Sequence, residues 1–190
     1  MSSEYFYEDG HIRINNFNPL YMDTPYTLQP GGCGERGEYT HLTPKFLQNL
    51  QDSSATFGPL AKIFVHEWAK LRYGVFEEYG YPGDKQYPLF YYEQVPVDGG
   101  YVSELRPNFC TDQPLDGTRE DIVYGGSCNF DPDTNLPDEN CIFVPNLESS
   151  GAIRSSYMAT PFLNSVDHFC RNTEVEFHHD IYKPTKVSII

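Results

Sequence analysis

The stretch GPLAKIFVHEWAKLRYG, residues 58–74, constrains the fold of this chain more than any other part of it. Pro59 suits the first position of a helix, where no backbone N–H is needed, and Gly74 suits the left-handed position after the last turn. Apolar residues recur on nearly every side, a pattern typical of a buried helix. The sequence therefore predicts that His66 and Lys70, which share one face of this helix, point away from bulk water.

The same helix carries part of a metal-binding pattern. Two histidines four residues apart can bind one zinc ion, with the glutamate after the first histidine as general base and a third ligand beyond a glycine turn. His66 and Glu67 fit this pattern, and Glu77 or Glu78 can return beneath the helix as the third ligand. Lys70 stands where the second histidine is needed. If this is an ordinary helix, His66 is a core histidine, and Lys70 buries its aliphatic part while its ammonium reaches solvent.

Charge narrows the range of partners. The chain has 190 residues, a length that favours one domain, and its 27 acidic residues against 13 basic ones give a formal charge of −14. This charge repels phosphate backbones and argues against nucleic acid, whereas protein or peptide partners remain. No apolar run approaches the roughly 20 residues of a membrane-spanning helix. We therefore expect no membrane span.

The cysteines and the N-terminus give opposite indications about the compartment. The N-terminal residues MSSEYFYEDG lack the basic and apolar regions of a secretory signal, which taken literally favours the cytosol. Four of the five cysteines lie in the loop-rich second half, where disulfides would stabilise the fold. Two disulfides and a leftover thiol are preferred over five reduced cysteines. The five are Cys33, Cys110, Cys128, Cys141 and Cys170.

The remaining sequence predicts mostly short elements. Residues 1–17 form a loose N-terminal arm, EYTHL is extended, and Thr43 caps a short helix that begins at Pro44. Residues 80–146 show no helical period and predict irregular structure with short strands such as DIVYG and CIFVP. A second helix is predicted over residues 160–172.

Two weaker metal signals lie in the second half. In DPDTN the residues Asp131, Asp133 and Asn135 are spaced like the first ligands of a calcium loop, but the later glycine and glutamate are missing, so a turn-forming acidic loop is the alternative. In EFHHDIY, His178 or His179 could supply a replacement ligand to the helix, although adjacent histidines on an extended segment point to opposite faces.

The phrases PYTLQPGGCGERGEYTHLTPKF and FVHEWAKLRYGVFEEY closely resemble the N-terminal domain of the calcium-activated chloride channel regulator (CLCA) family. The resemblance runs from about Asn18 to the C-terminus and is strongest over residues 18–80. In that family the domain is a zincin-like metalloprotease with the pattern HExxHxxxGxxDE. The resemblance implies an α+β fold with a central HExxH-type helix and a long, cysteine-containing loop region. Residues 18–190 would form this domain, incomplete at its N-terminus.

The resemblance also implies residue roles. His66 and Glu77 would be zinc ligands, Glu67 the catalytic base, Gly74 the turn, and Met158 the methionine turn of related zincins. It implies an extracellular setting and an ion channel as a possible partner.

Lys70 departs from the family pattern. Binding zinc would require this lysine to lose its proton, at a cost of about 4–5 kcal/mol at neutral pH. We therefore expect zinc, the cofactor of the family, to be weak or absent, with the ammonium lying among the carboxylates in place of the metal. The predicted function is an interaction or regulatory role in chloride conductance by a domain with an impaired metal site. The alternative is an active zinc metalloendopeptidase in which Glu67 is the general base.

Overall fold

The computed structural model describes residues 6–19, 21–48, 57–85, 87–146 and 148–169, and it is a mixed α+β fold with short helices and several small sheets. The described residues fall into two compact units. The first comprises the chain up to Glu77 together with Pro161–Asn164. The second comprises Glu78–Thr160 together with the described residues from Ser165 onward. None of the helices in these ranges is long and apolar enough to cross a membrane.

A three-stranded sheet forms the base of the first unit. Its strands are β1 (Ile12–Ile14), β2 (Tyr26–Leu28) and β3 (Tyr39–Leu42), in the order β1-β3-β2. β1 runs parallel to β3, and β2 runs antiparallel to it. The extended EYTHL segment is thereby confirmed as the central strand. β1 lies within the segment that the sequence treats as an N-terminal arm, and the division into an arm and a domain stays a prediction.

Helices α1 (Pro44–Gln48) and α2 (Leu60–Tyr73) follow this sheet in the described part of the chain. Helix α1 is capped as predicted, because the Thr43 hydroxyl oxygen accepts a hydrogen bond of 3.2 Å from the Phe46 N–H. Helix α2 ends at Gly74 in the left-handed conformation, with φ 65°. A 3-10 turn, Tyr7–Asp9, precedes β1.

The two ends of helix α2 agree with the sequence to within one residue. The Gly74 N–H donates to the Lys70 carbonyl at 3.0 Å, as the predicted cap requires. Pro59 lies at the N-cap rather than at the first helical position.

Helix α2 buries three of its polar residues, His66, Glu67 and Lys70, and exposes several of its apolar ones. His66 and Lys70 are buried, which confirms that they point away from bulk water. The expectation of a helix buried on all sides is wrong, because Phe64, Val65 and Trp68 are exposed on another face. Residues three and four apart share a helix face, so the exposed Arg72 lies with Trp68, whereas the apolar Ala69 and Leu71 are buried with Lys70.

Among its described residues, the second unit contains two antiparallel strand pairs. The first pairs β4 (Phe90–Val97) with β5 (Gly100–Pro107), and the second pairs β6 (Gly117–Asp121) with β7 (Cys141–Pro145). The strand predicted at CIFVP is confirmed as β7. The expectation of irregular structure is wrong for β4 and β5, which join at an Asp98-Gly99 turn with Gly99 at φ 96°. A 3-10 helix, Ser149–Ala152, follows β7.

Two other element predictions are wrong. DIVYG is not a strand, because β6 ends at Asp121 and the next residues turn. Residues 160–169 make turns instead of the first part of a helix, and 170–172 lie outside the described residues. The His168 carbonyl accepts a hydrogen bond of 2.9 Å from the Tyr157 N–H, and these two residues are farther apart along the chain than the four residues of a helical bond. Leu163 and Val166 are fully buried, so their apolar spacing serves the core and not a helix.

Disulfides are present, as the cysteine pattern predicts. Cys128 and Cys141 are bonded to each other across 13 residues, and Cys110 is also disulfide-bonded. Closing a loop of this size stabilises a fold by about 3 kcal/mol through the lost entropy of the unfolded chain. Cys33 is an exposed free thiol, and Cys170 lies outside the described residues.

Candidate functional site

The candidate site lies on the buried face of helix α2. His66 and Lys70 are four residues apart and therefore lie one above the other, with Glu67 beside them. The left-handed turn at Gly74 reverses the chain and brings Glu77 back towards the same face. We call His66, Glu67, Lys70 and Glu77 the Lys70 cluster.

The four side chains of the Lys70 cluster contact one another. The Lys70 ammonium donates a hydrogen bond to Glu77 Oε1 and lies 3.7 Å from Glu67 Oε2. His66 Nε2 lies 3.7 Å from Glu67 Oε1 and 4.0 Å from Glu77 Oε1. Side-chain exposure is 7% for His66 and Glu67, 9% for Lys70 and 15% for Glu77. The residues that the sequence singled out are thus gathered at one buried place.

Burial and charge act on Lys70 in opposite directions. Burial disfavours the ammonium and by itself lowers the pKa of Lys70, but the carboxylates of Glu67 and Glu77 together outweigh it. The pKa of Lys70 is consequently raised above its ordinary value. The side chain is therefore a cation at neutral pH, and it is the positive charge that these two buried carboxylates face.

This arrangement does not fit a zinc ion. A protonated amine has no lone pair to donate, and its charge repels a metal. Glu77, which the family resemblance makes a ligand, is instead the hydrogen-bond acceptor of Lys70. Within the described ranges, no group of three or more His, Cys, Asp or Glu side chains is placed to hold a metal ion.

The sheet and a glycine-rich loop fix the backbone of the helix at this site. The Thr27 hydroxyl donates to the Glu67 carbonyl at 3.0 Å, and the Gly34 N–H donates to the Gly74 carbonyl at 2.9 Å. The Gly37 N–H reaches the Lys70 carbonyl at 3.3 Å. No sequence pattern indicated these roles, although the PGGCGERGE glycines mark a loop that can approach another backbone closely.

Glu77 and Glu78 have different partners. Whereas Glu77 binds Lys70, the buried Glu78 accepts a hydrogen bond from the Ser156 hydroxyl and belongs to the second unit. The Glu78 N–H also donates to the Met158 carbonyl at 2.9 Å. Of the two glutamates that the spacing left open as third ligand, the structure brings Glu77 to His66.

Met158 lies in a tight turn of the second unit. It is 2% exposed, and the Ser156 hydroxyl accepts hydrogen bonds from the N–H groups of Met158 and Ala159 at 3.1 and 3.2 Å. The role of Met158 beneath a metal stays a prediction.

The calcium-like DPDTN segment is an ordinary acidic turn. The Asp131 carboxylate accepts hydrogen bonds from the N–H groups of Thr134 and Asp133 and from the Thr134 hydroxyl, which lowers the pKa of Asp131. The Asn135 amide donates to the Tyr92 hydroxyl at 2.7 Å. These oxygens serve the turn that the sequence left open as the alternative. The histidines proposed as a replacement ligand, His178 and His179, lie outside the described residues.

Comparison with protein families gives a match over nearly the whole chain. Residues 1–184 match the family described as "Calcium-activated chloride channel N terminal". No solved structure shows a significant match.

Relatives with the same family name are similar along most of the chain. Calcium-activated chloride channel regulator 1 of Bos taurus is 33% identical over 97% of this chain, and the human protein of that name is 34% identical over 95%. Calcium-activated chloride channel regulator 3A-1 of Mus musculus is 36% identical over 86%. The chain spans only 17–19% of the length of these relatives. It belongs to the calcium-activated chloride channel regulator family and corresponds to the N-terminal domain of that family.

Proposed function

We propose that this chain is a non-catalytic CLCA domain that acts by protein interaction in the regulation of chloride conductance. The observation that carries the proposal is the buried contact of the Lys70 ammonium with Glu77. It places a fixed positive charge where the family pattern has a metal ligand. The names of the relatives support the regulatory role, since they are called channel regulators.

In this proposal Lys70 performs the structural task of a metal ion. Two carboxylates that are buried together repel each other unless a cation lies between them. A lysine supplies that cation permanently, because it needs no uptake from solution and its raised pKa keeps it charged. The domain therefore keeps the folded pocket of a metallopeptidase without its reactive centre.

We also propose an extracellular setting. The Cys128–Cys141 bond and the bonded state of Cys110 support it, because disulfides persist in oxidising compartments. An extracellular domain would meet a channel at its outer face.

One alternative is favoured by a specific observation. His66 Nε2 lies within 4.0 Å of both Glu67 Oε1 and Glu77 Oε1, and Glu67 Oε2 is buried with no hydrogen-bond partner among the described residues. The alternative is an active zinc metalloendopeptidase in which Glu67 is the general base, His66 and Glu77 are ligands, and another residue completes the coordination. That enzyme would require the Lys70 ammonium to leave the carboxylates.

Metal analysis of the purified chain distinguishes the two functions. We expect no zinc on the native chain and near-stoichiometric zinc on Lys70→His, because this substitution supplies the missing imidazole. Lys45→His is the matched control, since Lys45 is also paired with a carboxylate, Asp23, but lies on the surface. It should bind no zinc.

Activity provides the second readout. Near-stoichiometric zinc on the native chain, with peptide hydrolysis that Glu67→Gln abolishes, would establish the enzyme. The regulatory role is tested by adding purified chain outside cells that carry a calcium-activated chloride current. The native chain should change that current, and an unfolded sample should not. An unchanged current would contradict regulation by this chain.

A further inference from the structure

The turn that directly follows β6 presents three consecutive apolar side chains to solvent. Ile122 is 61% exposed, Val123 is 59% exposed and Tyr124 is 81% exposed. Residues of this kind are usually scattered singly on a surface, and a contiguous exposed group marks an interaction site. We call these three residues the IVY tip.

The IVY tip is held rigidly. The Asp121 carboxylate oxygen Oδ1 accepts hydrogen bonds of 2.8 Å from the N–H groups of both Val123 and Tyr124. The Gly125 N–H returns to the Asp121 carbonyl at 2.9 Å, and the Asp121 N–H donates to the Gly126 carbonyl at 3.1 Å. Gly125 and Gly126 have φ of 73° and 80°, which other residues rarely adopt.

Further bonds anchor the base of the turn. The Ile122 N–H donates to the Asn140 carbonyl at 3.0 Å, and the Cys128–Cys141 disulfide closes the loop directly behind it. Asp121 is itself buried, and its second oxygen has no hydrogen-bond partner within the described residues. Leaving a buried carboxylate oxygen unpaired costs stability. Such a cost is understandable where the same carboxylate fixes a binding loop in place.

The charge around the IVY tip indicates the chemistry of its partner. Residues 111–150 contain nine acidic side chains and one basic side chain, Arg119. Glu120 and Glu139 are exposed; Glu120 lies two residues before Ile122, and Glu139 is the neighbour of Asn140, whose carbonyl accepts from the Ile122 N–H. This negative field disfavours anionic lipid and a second copy of the acidic chain, and it favours a surface with lysines and arginines.

We propose that the IVY tip docks into an apolar pocket of a protein partner whose rim is basic. Preformed aromatic and aliphatic anchors of this kind contribute most of the energy of protein interfaces, because little conformational entropy is lost on binding. The exposed acidic residues near the IVY tip, Glu120 and Glu139, select a basic partner and speed its association. The inference gives a surface to the interaction role proposed above and rests on that role.

Selection from a displayed library of random peptides tests the proposal directly. The immobilised native chain should enrich peptides that contain both apolar and basic residues. Their binding should weaken in high salt and should fall at least about tenfold for the Ile122→Ser, Tyr124→Ser double variant. Tyr101→Ser is the matched control, because Tyr101 is also a tyrosine beside a hairpin turn and is 72% exposed. This variant should bind the peptides like the native chain.

A second variant separates rigidity from composition. Asp121→Ala leaves the IVY tip intact but removes the acceptor of its two N–H groups, so binding should weaken while the tip residues are unchanged. Its far-ultraviolet circular dichroism shows whether the fold persists, and the double variant decides the question if it does not.

Four results would overturn the proposal. They are no enrichment of peptides, enriched peptides that bind the double variant equally, tip-dependent binding to phosphatidylcholine vesicles alone, and tip-dependent self-association in sedimentation. None of these measurements involves Lys70 or zinc. Failure here would therefore leave the metal analysis untouched, and the reverse also holds.

Discussion

Lys70 lies in the last turn of helix α2, Glu77 lies beyond the helix end, and the Lys70 ammonium donates a hydrogen bond to the Glu77 carboxylate. The left-handed turn at Gly74 makes this possible, because it reverses the chain between them. In the pattern that the family resemblance implies, both positions would be metal ligands. In this chain they neutralise each other.

Removing the charge of Lys70 should destabilise the fold strongly. In Lys70→Met the shape is nearly kept, but Glu67 and Glu77 lose their buried cation, which costs about 3–5 kcal/mol. Urea unfolding followed by circular dichroism measures the change. Lys45→Met is the control, since its side chain is 81% exposed and its ion pair with Asp23 is screened by water, so little stability should be lost. Equal effects of the two substitutions would show that Lys70 is not a structural cation.

Gly74 should tolerate no larger residue. Gly74→Ala adds a Cβ that would overlap the Glu35 backbone, and its φ of 65° strains any side chain. We expect a loss of about 3 kcal/mol, strain and overpacking together. Gly99→Ala shares the positive φ, at 96°, but its Cβ would meet nothing within 4 Å, so about 1 kcal/mol is expected. Chemical unfolding of both variants compares them, and similar losses would mean that the contact with Glu35 is unimportant.

The Asp131 turn should lose stability in acid. The pKa of Asp131 is lowered because Thr134 and Asp133 donate to its carboxylate, so its contribution is present above the ordinary aspartate pKa near 4 and is lost as the pH falls through the lower native value. Thermal unfolding of the native chain and of Asp131→Asn should converge between about pH 5 and pH 2. Asp98→Asn, in the turn between β4 and β5, serves as the control. A constant difference between native chain and Asp131→Asn across this range would contradict the prediction.

The cysteines should differ in their reactivity. In the native chain iodoacetamide should label Cys33, which is exposed and free, while Cys128 and Cys141 should react only after reduction. Mass spectrometry of the digested chain identifies the labelled sites. Replacing Cys128 and Cys141 together by serine should lower the free energy of unfolding by about 2–4 kcal/mol. Labelling of Cys141 without reductant would show that the bond is absent in solution.

Local signals predicted the first unit well. Thr43 and Gly74 each mark a helix end through a hydrogen bond made within the same few residues, so their positions can be read directly from the sequence. In the second unit, CIFVP was also recognisable as a strand, because β-branched and aromatic residues follow one another. The position of Lys70 beside Glu77 depends on the turn at Gly74 and on the helix period, and both can be recognised in the sequence.

The second unit depends on contacts that sequence periodicity does not report. The β4 and β5 strands carried a usable signal, the Asp98-Gly99 pair between two β-rich runs, but their proline and glycine residues resemble a loop. DIVYG has the composition of a strand, yet the Asp121 carboxylate captures the next backbone N–H groups. Residues 160–169 have helical spacing, but distant backbone groups bind them.

Trp68 gives this domain a built-in optical reporter. It is the only tryptophan of the chain, it is 53% exposed, and it lies two residues before Lys70 on the outer face of helix α2. Its indole is therefore solvent-exposed in the native state and accessible to soluble quenchers such as iodide or acrylamide. Whatever covers this helix will shield a single fluorophore, so its arrival can be followed by quenching without attaching a dye.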